Sequence, residues 1–189
     1  MKRLITILTA AAALLSAAPA ALAALKPGDK APDFTLDAAL GGKPYRFELA
    51  KALAKGPVVL FFFPKAFTSG CTIEARAFAE ASPRFEAMGA TLIGISNDDA
   101  DTIRRFSVEA CRDKFAVAGD ADSKVIRAYD ARLMLMSGMA DRISYVIDRQ
   151  GRIAYAYSSL SAEGHVTNTL KAVEALAAGK PVPAALPVR

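Results

Sequence analysis

Val58-Val59-Leu60-Phe61-Phe62-Phe63-Pro64-Lys65-Ala66-Phe67-Thr68-Ser69-Gly70-Cys71-Thr72 is the stretch that decides how this chain folds. Its first six residues are an unbroken apolar run, long enough for a strand and too short for a helix, so they predict a central strand buried on both faces. Pro64 stops that strand, and the Ser69-Gly70 pair lets the chain turn tightly. Past Cys71 the apolar residues Ile73, Ala77, Phe78, Ala81, Phe85 and Met88 recur at helical spacing, which predicts a helix from about Cys71 to Met88. Cys71 then stands among the first helical residues, where backbone N–H groups lack partners and the helix dipole favours negative charge. A cysteine so placed is a candidate nucleophile, because the thiolate is the reactive form. Thr68, three residues earlier, can set a hydroxyl beside the sulfur.

Outward from this stretch, strands and helices alternate. Phe34-Thr35-Leu36 and Tyr45-Arg46-Phe47, joined across Gly41-Gly42, predict an N-terminal hairpin. Pro83 interrupts the first helix and should kink it, and Gly89 ends it. Thr91–Ser96 predicts a second core strand, followed by a helix capped at Asp98 with Ile103, Phe106 and Ala110 facing inward. A short strand at 116–118, a short helix at 123–129 and a strand pair, 143–148 and 152–157, come next. The last helix turns Val166, Leu170, Val173 and Leu176 inward. This order implies an α/β fold with a mixed central sheet flanked by helices.

The ends read differently. Met1-Lys2-Arg3, an apolar stretch from Leu4 to Leu15 and Ala21-Leu22-Ala23 form the pattern of a cleaved secretory leader over 1–23, which predicts a periplasmic or secreted protein. Residues 24–180 form the expected single domain, and 181–189 a loosely held Pro-rich tail. Without the leader the net charge falls from +5 to +3, with both signs interspersed. That pattern offers no nucleic-acid track, and no later stretch is long enough for stable membrane association.

The motif Pro64-x-x-x-Thr68-x-x-Cys71 resembles the active-site loop of peroxiredoxins. Lys26–Phe34 and Arg142–Asp148 resemble that family's opening segment and a late strand bearing its catalytic arginine, so three blocks follow the family's order. The Phe-Pro-Lys-Ala-Phe-Thr lead-in is most similar to the Q subgroup, the bacterioferritin comigratory proteins. The resemblance implies a thioredoxin-like fold and a thiol-dependent peroxidase acting on hydrogen peroxide or small organic hydroperoxides. It implies no cofactor, a thioredoxin-like or other thiol reductant as partner, and a monomer or homodimer.

The resemblance assigns Cys71 as the attacking sulfur, Thr68 as the peroxide-positioning hydroxyl and Arg142 as the stabiliser of thiolate and leaving oxygen. Pro64 becomes the shield of the sulfur, and Glu74 the orienter of Arg142. The subgroup often carries its resolving cysteine five residues after the first; here Arg76 stands there. Cys111, off the apolar stripe of the following helix, fits the other arrangement and is expected to be accessible. A one-cysteine peroxidase with Cys111 as a small buried residue is the competing version. A thioredoxin-like disulfide oxidoreductase would need Cys-x-x-Cys, whereas Cys71 is followed by Thr72-Ile73-Glu74. A copper-delivery module would need a second soft ligand near Cys71. His165, the single histidine, is expected to lie mid-helix at or near the surface with no ligand role.

Overall fold

A computed structural model describes residues 24–184 apart from 135 and 137. The leader expected over 1–23 and the last five residues of the tail lie outside the described residues. In chain order the elements are β1 (Thr35–Leu40), β2 (Lys43–Glu48), α1 (Leu49–Lys55), β3 (Val58–Phe62), α2 (Ser69–Ala87), β4 (Thr91–Ser96) and α3 (Ala100–Glu109). They continue with β5 (Ala116–Gly119), α4 (Lys124–Ala128), β6 (Ile143–Ile147), β7 (Ile153–Ser158) and α5 (His165–Ala177).

One seven-stranded mixed sheet runs β2-β1-β5-β4-β3-β6-β7. β3, β4 and β5 are parallel because α2 and α3 carry the chain back between them, while β6 and the hairpins run antiparallel. Successive side chains of a strand point to opposite faces. Val58, Leu60 and Phe62 therefore enter one apolar layer with Tyr129 and Tyr145, and Val59, Phe61 and Phe63 enter another with α2, α3 and α5. In that second layer the Phe61 ring stacks on Phe78 at 4.4 Å. It fits because Gly94 lies opposite Phe61 in the ladder: a Cβ there would sit 2.7 Å from the ring.

The hairpin, the core strands and the order of helices follow the pattern of the sequence. α1 is an addition, a seven-residue helix that buries Leu49. α2 begins two residues before Cys71 and continues through Pro83, which it contains. The cap of α3 is Asp99, whose carboxylate accepts from the Thr102 N–H at 2.9 Å; Asp98, expected in that place, turns inward. Residues 181–184 belong to no helix or strand, although Val182 packs against the second apolar layer.

Candidate active site

The site forms where β3 hands over to α2. Thr68 is the N-cap of α2, with φ −69° and ψ 151°, and its carbonyl accepts from the Thr72 N–H. Its hydroxyl donates to the Lys65 carbonyl at 2.9 Å and so closes the loop. Pro64 is half-buried at the end of β3, and Cys71, in the first turn of α2, is almost fully buried.

Arg142 immediately precedes β6, the neighbour of β3, so the sheet brings a residue 71 positions away onto the first turn of α2. Its Nη2 donates to Cys71 Sγ at 3.4 Å, Nη1 donates to Glu74 Oε2, and Nε donates to the Leu160 carbonyl at 3.0 Å. Three donors of one rigid fork are thus directed at once. Gly70 explains how the guanidinium gets so close. It lies inside α2 rather than in a turn, and a Cβ on it would meet Nη2 at 3.1 Å. Burial works against the charge of Arg142, but Glu74 and Cys71 together more than offset it and hold its pKa above the ordinary value.

Glu74 is one helical turn from Cys71, and its carboxyl is wholly buried. Burial pushes its pKa up from 4.5 to about 7, with Arg142 pulling the other way. Oε1 of Glu74 accepts no hydrogen bond from the protein and faces His165 Nδ1 at 3.6 Å. His165 departs from expectation: it is the first residue of α5, not mid-helix, and it is completely buried. Its Nδ1 is 2.8 Å from Ser144 Oγ, its Nε2 is 3.1 Å from the Ser159 carbonyl, and Tyr157 packs edge-on at 4.7 Å. Burial lowers its pKa from 6.5 to about 4.

The loop before α2 is held from β4. Asp98, buried at the end of that strand, accepts from the Ala66 N–H at 2.8 Å and from Ser96 Oγ at 2.9 Å, and pairs with Lys65 at 2.5 Å. Directly after these anchored residues Phe67 takes φ +65°, a left-handed conformation costly for a side chain that is neither glycine nor asparagine. Its ring is pinned edge-on to Phe106 at 5.3 Å and lies under the Arg105 guanidinium at 5.1 Å.

Comparison with known proteins places the chain in a family. Residues 27–156 match the model of the AhpC/TSA family. The chain is 33% identical over 150 residues to the chloroplastic peroxiredoxin Q of Oryza sativa subsp. japonica, covering 79% of this chain and 67% of that one. The chain belongs to the AhpC/TSA family of peroxiredoxins. Among solved structures, the peroxidoxin BcpB of Mycobacterium tuberculosis superimposes with TM-score 0.72 at 32% identity, over 80% of this chain and 98% of that one. The peroxiredoxin Q of Xanthomonas campestris gives 0.68 at 27% identity, over 82% and 99%. The protein is accordingly an oxidoreductase, a thiol-dependent peroxidase with a thioredoxin-like fold.

In this peroxiredoxin Cys111 is not accessible as expected. It lies just past α3, fully buried, in the same apolar layer as Cys71, and both cysteines are free. Burial, with the nearby Asp113 charge, pushes the Cys111 thiol well above its usual range. Among the described residues no group of three or more His, Cys, Asp or Glu is placed to hold a metal ion, and no helix is long and apolar enough to cross a membrane.

Sequence reasoning missed Asp98, Lys65, Ser144 and His165 as parts of the site. For Asp98 a signal existed: Asp98-Asp99 offers two carboxylates where a helix start uses one, and the other must go elsewhere. For His165 and Ser144 there was none, since their meeting depends on α5 docking across β6.

Proposed function

We propose that Cys71 is the peroxidatic nucleophile of a peroxidase for hydrogen peroxide and small organic hydroperoxides, and that Cys111 resolves it. The observation that carries this reading is the bond from Arg142 Nη2 to Cys71 Sγ at the start of a helix. The sulfur attacks the terminal peroxide oxygen, the S–O bond forms as the O–O bond breaks, and the other oxygen leaves with the electron pair. The products are the sulfenic acid of Cys71 and an alkoxide or hydroxide that takes up a proton. Arg142 and the unpaired N–H groups of the first turn of α2 receive the growing negative charge. Thr68 turns its hydroxyl from Lys65 to the incoming peroxide and holds it in line. Pro64 shields the sulfur, and Glu74 keeps Arg142 pointed at it.

Cys111 then attacks the sulfenic sulfur, water leaves, and a disulfide results that a thioredoxin-like thiol reduces. Both cysteines are buried, so the start of α2 and the end of α3 unwind for this step. The burial of Cys111 supports a second reading, a one-cysteine cycle completed by an external thiol. The leader pattern over 1–23 supports action outside the cytoplasm.

One equivalent of hydrogen peroxide added to reduced protein lacking 1–23, with intact mass recorded, tests both readings. Fast consumption with a loss of about 2 Da, abolished in Cys111→Ser, is expected for disulfide formation. Fast consumption with one oxygen added in the unsubstituted protein transfers resolution to an outside thiol. Consumption no faster than by a free thiol, or unaffected by Cys71→Ser, overturns Cys71 as nucleophile.

A further inference from the structure

Behind the sulfur lies a buried chain of groups whose charges do not balance as written. Arg142 is one permanent cation, and it bonds two groups that can be anions, Cys71 and Glu74. With both ionised the cluster holds one uncompensated negative charge in a site where Glu74 and His165 have no solvent exposure. Isolated buried charges are costly enough that such groups take up a proton instead.

The hydrogen bonds of His165 say where that proton belongs. Nε2 faces a backbone carbonyl, which only accepts, so Nε2 carries hydrogen. In the neutral imidazole Nδ1 is then an acceptor, and the Ser144 hydroxyl donates to it. Nδ1 also faces Glu74 Oε1 at 3.6 Å, and that oxygen accepts no hydrogen bond from the protein. Two lone-pair atoms facing each other in a dry pocket repel unless one of them holds a proton. Among the described residues, the titratable or charged groups that His165 meets besides Glu74 are Arg142 at the head of β6, through it Cys71 on α2, and Tyr157 on β7.

We propose that Glu74 and His165 hold one proton between them while Cys71 is a thiolate and release it when Cys71 becomes a sulfenic acid, which makes His165 a positioning residue for the reacting sulfur. The charges then close at both ends of the step. Before it, the thiolate and Arg142 cancel and the protonated pair is neutral. After it, the sulfur is neutral, and the ionised Glu74 replaces the thiolate as the partner of Arg142. The released proton balances, through solvent, the one taken up by the departing alkoxide or hydroxide. The direction in which burial moves both groups, Glu74 up and His165 down, puts the resting proton on Glu74.

The proposal rests on Cys71 as the reacting sulfur, but its test does not depend on turnover. His165 is the only histidine in the chain, so in untagged protein its ring nitrogens give one unambiguous NMR signal pair. Following that pair from pH 5 to 9 in reduced protein is expected to show a step near neutrality that Glu74→Gln removes. In Cys71→Ser, where an uncharged hydroxyl replaces the thiolate, the step is expected to fall by about one pH unit, a tenfold loss of proton affinity. If Cys71→Ser does not fold, the same titration of Cys111→Ser before and after one equivalent of peroxide, which stops at the sulfenic acid, provides the comparison. A step at the same pH with and without the thiolate, or one that survives in Glu74→Gln, overturns the proposal. Peroxide consumption in Cys71→Ser separately judges the nucleophile assignment, so the two can fail independently.

Discussion

The substitution His165→Gln isolates the cost of burying the imidazole, and the sign of its pH dependence follows from the direction of its shift. The folded protein lowers the His165 pKa from 6.5 to about 4. Between those values the unfolded chain binds a proton that the folded chain does not, so the histidine contributes a slope in which stability rises with pH. Above 6.5 neither state is protonated, and the penalty is gone; at 4 it is complete. A shift of this size corresponds to about 3 kcal/mol. Glu74 acts oppositely. Its folded value is raised from 4.5 to about 7, so in that window the folded state binds the extra proton and stability falls as pH rises. In the native protein the two slopes nearly cancel.

Glutamine in place of His165 removes one slope and leaves the other. Whatever the variant loses at neutral pH in packing and hydrogen bonds, its deficit against the native protein should shrink by about 3 kcal/mol as pH falls from 6.5 to 4. The native protein should look nearly flat in the contribution of this pair, whereas the variant should lose stability on going from pH 4.5 to 7. Urea unfolding of both proteins at half-unit intervals measures the difference directly, because the other carboxylates contribute equally to each and drop out. A deficit constant within about 1 kcal/mol across that range would refute the argument, since it would mean that His165 protonates in the folded protein as readily as in the unfolded chain.

The remaining predictions concern the groups around the loop. Arg142→Met should lower kcat/KM for peroxide by about 10²–10³ through loss of the donor to the developing oxyanion. It should also destabilise the fold by about 1–3 kcal/mol, read in thermal melts, because the buried, protonated Glu74 carboxyl loses its guanidinium donor. Asp98→Ala should cost about 1–3 kcal/mol because it strands the Ala66 N–H, whereas Asp98→Asn, which keeps an acceptor and loses only the pair with half-exposed Lys65, should cost less. Equal urea midpoints for the two would sink that account. Gly119→Ala would put a Cβ 2.5 Å from the Asp98 backbone carbonyl, so it should cost about 1–3 kcal/mol and slow peroxide consumption, although Gly119 touches no reacting group. A variant with native melting temperature and rate would show that the strand end gives way without disturbing the loop.

By itself the sequence determined the sheet's centre, the alternation of strands and helices, and the residue most suited to nucleophilic attack. These are local properties: the run Val58–Phe63 cannot be satisfied except as a strand buried on both faces, and the start of α2 follows directly from it. Arg142 and Glu74 were legible only through likeness to a family, since nothing local in Arg142-Ile143-Ser144 says what its guanidinium meets. Tertiary structure decided the rest. Pairing of β6 with β3 brings Arg142 to the sulfur, and the absent side chain of Gly70 leaves it room. Docking of α5 buries His165 against Glu74, and the inward turn of Asp98 ties β4 to the loop. Cys111 shows the limit most plainly. Its position off the apolar stripe of α3 argued for exposure, but the helix ends at Glu109, and the turn that follows, governed by different geometry, carries the thiol into the core. A periodicity predicts burial only while its helix lasts, and where side chains from separate elements meet is set by how the sheet and helices pack.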